Sequence, residues 1–197
     1  MPDSIRDVIH WPQPSQILPG WPGVTVDTRE QHPLSLPAWA MAQPGTLQSG
    51  DYAVRGLNHL WTIERKTGTS PGGKPGDFWS SIGRDRARFG REIDRLAGHM
   101  AAFLLIEGDG WQDLAAPPAG TSISGRVAVR SVLEYCATAG VIPVIIPRRL
   151  AGEFVAYTLY ALWRDFFFGR GYLDRFTKTE TTSTRATAAE NNSVETS

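Results

Sequence analysis

Leu60-Trp61-Thr62-Ile63-Glu64-Arg65-Lys66 begins as an aromatic and β-branched run and ends in three charges. A run of this kind reads as a β-strand. Side chains alternate along a strand, so Glu64 and Lys66 share one face with Thr62 below them, and Arg65 points to the other. The rest of the fold follows from what must surround that strand. Upstream, Val24–Thr28 is a short β-branched strand, and Gly50–Val54 begins a second. Downstream, Asp77 opens a helix in which Phe78, Ile82, Phe89, Ile93, Leu96 and Met100 recur at helical spacing. Ala102–Glu107 is apolar up to its final acid, as expected of a strand covered on both faces. Ser124 can cap a helix running to about Ala139, with Gly140 as its stop. Val141–Ile146 is another buried strand closed by Pro147, and Leu150–Phe168 reads as a helix apolar over most of its circumference. The order is strand, hairpin-like strands, helix, strand, helix, strand, helix. The last two strands each follow a helix and should join the sheet by crossovers. The class is α/β, a mixed central sheet with helices on both faces.

Outside this core the sequence changes character. Residues 1–23 are rich in Pro and Trp without a sustained period and read as an arm that docks or stays loose. Residues 177–197 are Thr/Ser/Ala/Glu-rich with almost no large apolar residue and read as a disordered tail. The folded domain is expected over 24–176. The chain has 197 residues, 41% of them apolar, enough for one domain with a substantial core. Basic and acidic residues balance at 20 each, so any polyanion partner must meet a local cluster. The one cysteine, Cys136, allows no internal disulfide and sits in an apolar helical pattern, as a buried small hydrophobe would. No stretch approaches the roughly 18 apolar residues of a membrane span, and the N-terminus lacks the order of a signal peptide. A soluble intracellular protein, with no membrane partner, is the expectation.

The charged groups gather at strand ends: Asp27-Thr28-Arg29-Glu30, Gly50-Asp51-Tyr52, Glu64-Arg65-Lys66, and Asp77 at a helix start. A carboxylate and an ammonium two residues apart on one face suit phosphodiester hydrolysis. Glu64 can bind a divalent cation, and Lys66 can orient or help deprotonate water and stabilise phosphate charge. Asp51 on a neighbouring strand would complete a site for hard Mg²⁺, which wants oxygen ligands and keeps several waters. On spacing alone a solvated strand end stays open as the alternative, because charged triplets are common.

Four ordered motifs bear on that choice. VDTRE, GDY, IERK and a following Asp with its helix resemble the nuclease domain of the XPF-type structure-specific endonucleases, within the PD-(D/E)XK superfamily. Beyond the lysine the family has a helix with an Arg-Phe pair, here Arg88-Phe89 followed by Glu92 and Leu96, and then a buried strand, here FLLIE. The resemblance spans roughly Val24 to Phe168. It implies a restriction-endonuclease-like sheet and a Mg²⁺-dependent endonuclease acting on branched or flapped DNA, with Mn²⁺ as a substitute ion. It also implies that Asp51 and Glu64 are metal ligands, that Lys66 is the catalytic lysine, and that Asp27 is a further acid of the metal centre acting through water. Arg29, Glu30 and Arg65 would support the site, and Asp77 would cap its helix or hold an indirect contact. Two departures stand out. The Gly/Pro loop Thr67–Gly76 is longer than the family spacing and is expected to be flexible, which leaves the place of Asp77 open. The chain ends in a polar tail where relatives usually carry a helix-hairpin-helix module. DNA affinity would then come from this domain, from homodimerisation or from a DNA-binding partner chain. A non-catalytic DNA-binding or scaffolding subunit of the same fold is the alternative function, and the presence of Asp27, Asp51, Glu64 and Lys66 together speaks against it.

Arg84, Arg88, Arg91 and Arg95 are spaced 4, 3 and 4 apart and should form one cationic stripe suited to DNA phosphates. A solvated face with Asp85, Glu92 and Asp94 as partners is the alternative. Arg126, Arg130, Arg148 and Arg149 are secondary candidates. His10, His32, His59 and His99 show no metal-site spacing, and His32 alone lies close to a motif. Trp163, Phe166, Phe167, Phe168 and Tyr172 exceed what one packed helix face needs, so they should pack under the arm or form a subunit interface.

Overall fold

The computed structural model describes residues 16–70 and 73–169. Residues 1–15, His10 among them, Tyr172 and the 177–197 tail lie outside the described residues. Two compact units divide between Tyr160 and Ala161.

The first unit is built on a six-stranded sheet in the order β2-β1-β3-β4-β7-β8. Its strands are β1 (Val24–Asp27), β2 (Gln43–Gly45), β3 (Tyr52–Val54), β4 (Trp61–Thr67), β7 (Ala101–Glu107) and β8 (Ile142–Ile146). β1, β3 and β4 run antiparallel to one another in succession; β4, β7 and β8 are parallel, as the crossovers require. The sheet is therefore mixed. β2 pairs parallel with β1 at the edge and has no counterpart in the sequence reading. Its Gln43-Pro44-Gly45 carries no apolar alternation, and Pro44 is tolerated there because one side of an edge strand needs no ladder donor.

Register fixes which side chains share a face. Thr62, Glu64 and Lys66 lie beside Ala102, Leu104 and Ile106. On that face pack α1 (Asp77–Ile82), α2 (Arg86–Leu96), α3 (Trp111–Ala115) and α4 (Gly125–Ala139), through Phe78, Phe89, Ile93, Leu96 and Val132. The opposite face presents Trp61, Ile63, Arg65 and Leu105, also buried. Further buried apolar groups of this unit lie on α5 (Arg148–Phe168), namely Leu150, Val155 and Leu159. Tyr160 meets Trp21 edge-on at 5.4 Å, and its hydroxyl accepts from the Leu18 amide at 3.1 Å, so residues 18–21 of the arm are docked. Cys136 is buried, and burial pushes its thiol up to about 12, which leaves it inert.

Two expectations need correction. The helix read from Asp77 to Met100 is two helices, because Gly83 interrupts it; a Cβ there would stand 2.8 Å from Ile123 and 3.0 Å from the Trp79 carbonyl oxygen. Met100 falls beyond α2 and is exposed, so it is not part of the core stripe. The loop after Lys66, expected to be flexible, holds an antiparallel ribbon, β5 (Thr69–Ser70) with β6 (Lys74–Pro75). In the second unit Trp163 packs against Phe167 and Phe168, while Phe166, Phe167 and Phe168 stay exposed.

Candidate active site

The charged end of β4 opens into a cavity of about 550 Å³. Asp51, Glu64, Lys66, Asp77 and Glu92 all line it, contributed by β4, α1, α2 and the turn before β3. Asp51 stands just before β3 and is delivered by a glycine that cannot be replaced. Gly50 has φ +77°, and a Cβ there would lie 1.9 Å from Thr62 Oγ1. The turn is tied to β4, with Asp51 N donating to Ile63 O at 2.9 Å and Thr62 Oγ1 donating to Ser49 O at 3.1 Å. Asp51 Oδ2 then accepts from the Arg65 amide at 2.8 Å, so its carboxylate lies alongside the Glu64–Arg65 peptide.

The ribbon settles where Asp77 goes. Gly76 N donates to Gly68 O at 3.0 Å, closing the base of the excursion, and a Cβ at Gly76 would sit 2.1 Å from Thr67 O. The chain thus returns to its starting point, and the Thr67 amide donates to Asp77 Oδ1 at 2.6 Å. Asp77 reaches the cavity despite the long insertion.

Lys66 Nζ is held between Glu64 Oε1 at 2.8 Å and Glu92 Oε2 at 2.9 Å. Burial alone would lower its pKa, but the two carboxylates outweigh that and the net shift is upward. The two carboxylates thus favour the ammonium form of Lys66. Glu92 was read from the sequence as a partner of the arginines. Its place one residue from buried Ile93, on the flank of the Phe89–Ile93–Leu96 stripe, was the signal that it faces the sheet edge rather than open solvent.

Burial raises the pKa of Asp51, and the Glu64 charge raises it further against the Arg65 amide bond. Glu64 is likewise raised by burial, with Lys66 opposing. Two half-buried carboxylates that repel each other provide oxygen ligands for a hard divalent cation and would be relieved by one. Among the described residues no group of three His, Cys, Asp or Glu side chains is arranged to hold a metal. The pair still fits Mg²⁺, which binds through one or two carboxylates and keeps waters.

Asp27, which the resemblance implies acts in the metal centre through water, is held by hydrogen bonds of its own. It is 3% exposed and does not line the cavity. Both of its oxygens are taken: Oδ1 by Arg29 N at 2.7 Å and Nε at 2.8 Å, Oδ2 by Arg29 Nη2 and Leu47 N, each at 2.8 Å. Its geometry is that of an anchor for Arg29, which itself lines the cavity rim. Arg65 occupies the opposite face, as alternation predicts, and ion-pairs with Glu30 at 3.0 Å and Glu107 at 2.7 Å. Glu107 also meets Arg148 at 3.1 Å. Arg65 and Glu30 thus brace the strand, and both also line the cavity.

The arginine stripe is divided. Arg88 and Arg95 line the cavity, with Arg88 Nε 3.1 Å from Glu92 Oε1. Arg91 is exposed on α2 away from it, and Arg84 lies in the turn before α2. Arg86, off the stripe, packs over the Tyr135 ring at 5.5 Å. His32 lines the cavity and gives its carbonyl to Arg65 at 2.9 Å; His99 hydrogen-bonds Leu96 O at 3.0 Å.

Sheet order, flanking helices and a carboxylate–lysine cavity at the strand ends define a restriction-endonuclease-like α/β fold. The solved structures it resembles are XPF from Aeropyrum pernix and XPF from Aeropyrum pernix in complex with DNA. Identity is 22% and the TM-score 0.52 in both, covering 72% and 73% of this chain. The chain spans 61% and 66% of theirs, under two thirds in each case, and the likeness is one of fold. No protein-family model matches the chain. No curated protein matches it either. Among the described residues no helix is long and apolar enough to cross a membrane.

Proposed function

We propose that the protein is a divalent-metal-dependent DNA endonuclease, with Asp51 and Glu64 as the metal-holding carboxylates and Lys66 as the catalytic lysine. The observation that carries this reading is the Lys66 ammonium fixed between Glu64 and Glu92 in the cavity that Asp51 and Asp77 also line. When bound, Mg²⁺ or Mn²⁺ would supply Lewis-acid stabilisation of phosphate charge and activation of water. Lys66 donates to a non-bridging phosphate oxygen and offsets charge that develops on it during hydrolysis, in a site where screening by water is reduced. Glu92 fixes the direction of that ammonium. Arg88 and Arg95 at the rim, with Arg29, hold the backbone of the strand, and exposed Arg84 and Arg91 add positive charge outside the cavity. Arg65 and Glu30 keep β4 in place.

Branched or flapped DNA is the substrate the motif resemblance favours. A homodimer or a DNA-binding partner chain would add affinity, inside the cell where DNA is met. The test is cleavage by pure folded protein of labelled flap, fork, junction, single-stranded and duplex DNA, with Mg²⁺, with Mn²⁺ and with EDTA. Metal-dependent cutting of branched substrates is the expected result. DNA binding without cutting on the whole panel would instead identify a scaffolding subunit.

A further inference from the structure

Charges of alternating sign form one chain of contacts through the active cavity. Arg88 Nε stands 3.1 Å from Glu92 Oε1, and Glu92 Oε2 stands 2.9 Å from Lys66 Nζ. That same nitrogen stands 2.8 Å from Glu64 Oε1. Both middle members are shared: the Glu92 carboxylate serves two cations, and the Lys66 ammonium serves two carboxylates. The two ends differ in setting. The Arg88 side chain is 75% exposed, whereas those of Glu92, Lys66 and Glu64 are 12%, 9% and 13% exposed. An ion pair with an exposed partner is worth little, so Arg88 can leave Glu92 at small cost. The inner pairs are poorly screened and respond strongly to a change in a neighbouring charge.

Glu64 is claimed twice, because the carboxylate proposed to hold a divalent cation already holds Lys66. A dication on Glu64 repels an ammonium on the same carboxylate, so tight cation binding requires Lys66 to lean towards Glu92. Glu92 attracts Lys66 most when Arg88 does not neutralise it at the same time. Arg88 lines the cavity, where a DNA phosphate would draw it away from Glu92. We propose that Glu92 is a positioning residue that couples the two ligands: with Arg88 on a phosphate, Glu92 takes Lys66 and frees Glu64 for the divalent cation. Without DNA, Lys66 keeps Glu64 occupied and the cation is held weakly. This rests on the nuclease reading. The coupling is reciprocal, so the cation strengthens DNA binding by the factor by which DNA strengthens cation binding.

The test uses the full chain and a branched DNA with phosphorothioate linkages around the cut, checked on gels to stay intact. Mg²⁺ affinity is measured by calorimetry with and without this DNA, and DNA affinity by fluorescence anisotropy with and without Mg²⁺. The wild type should show about tenfold coupling in both directions. Glu92→Gln keeps the shape and removes the charge, so Lys66 stays on Glu64. Its Mg²⁺ affinity without DNA should fall severalfold and its coupling should vanish, and Glu92→Asp should recover part of both. Arg88→Ala should bind Mg²⁺ more tightly than the wild type without DNA, and DNA should raise that affinity little further. Arg95→Ala removes the same charge from the same cavity but leaves the Arg88–Glu92 pair in place, and should keep the tenfold coupling. Arg88 and Arg95 are exposed, so their comparison decides even where Glu92→Gln fails to fold. The proposal is overturned if Arg88→Ala and Arg95→Ala show equal coupling, or if folded Glu92→Gln couples like the wild type. A wild type that cuts DNA with Mg²⁺ but shows no coupling overturns it and leaves the nuclease reading intact. A wild type that neither binds nor cuts DNA removes both.

Discussion

Asp27→Asn separates an anchoring carboxylate from a metal-centre one. Four hydrogen bonds reach the Asp27 oxygens, and it is 3% exposed. The Arg29 side chain, ahead of the opposing effect of burial and helped by the Arg29 and Leu47 amides, lowers its pKa from 3.8 to about 2. That difference corresponds to roughly 2 kcal/mol of folding stability. Because the folded-state pKa is depressed, the contribution is complete above the ordinary 3.8 and is lost as pH falls through about 2. Asparagine also turns an N–H towards groups that are themselves donors. The variant should therefore unfold with roughly 2 kcal/mol less free energy near neutral pH, and the gap should close as the acid limit is approached. Urea titration at a series of pH values reads this directly, and calorimetry with Mg²⁺ on the folded variant should show unchanged affinity. A variant as stable as the wild type at neutral pH but impaired in Mg²⁺ binding would refute the anchoring argument and return Asp27 to the metal centre.

Glu64→Ala and Asp51→Ala should abolish cleavage while leaving the circular dichroism spectrum and DNA affinity largely intact; near wild-type rates in either would strike that residue from the metal site. Lys66→Ala should slow single-turnover cleavage by about 10²–10³ with little change in DNA affinity, and equal losses in both would make it an ordinary phosphate contact. Arg65→Leu leaves Glu30 and Glu107 without their buried partner and should cost about 3–5 kcal/mol in chemical denaturation, a loss smaller than 1 kcal/mol being incompatible with the network described. Arg88→Ala and Arg95→Ala should each flatten the log–log salt dependence of duplex binding by about 0.9, and an unchanged slope would move the DNA path off α2.

Much of the fold was legible because local and long-range signals agree. β4 and β7 are apolar, β-branched or aromatic and buried, and Ser124 and Gly140 bracket α4, the latter at φ +67°. What escaped lacks such agreement. Gln43-Pro44-Gly45 becomes a strand only because β1 offers it an edge, a fact no local pattern carries. The break at Gly83 depends on Ile123, forty residues away in sequence. In the site, Glu64, Lys66 and Asp51 could be placed from alternation and neighbouring strands. Glu92 could not, because its partner is set by how α2 docks on the sheet. Asp27 shows another limit: the motif marked the residue, and only the structure shows that Arg29 and Leu47 take up its oxygens.

The ribbon after Lys66 has a practical corollary. Its base is fastened by Gly76 to Gly68 and by Asp77 to Thr67, so the position of Asp77 is independent of how much chain is looped out between them. Loop closure grows only slowly with length, about 0.6 kcal/mol for each doubling. Residues 69–75 are accordingly a port in the scaffold where a reporter peptide or a binding module can be spliced in beside the cavity, with the carboxylate of Asp77 left in register.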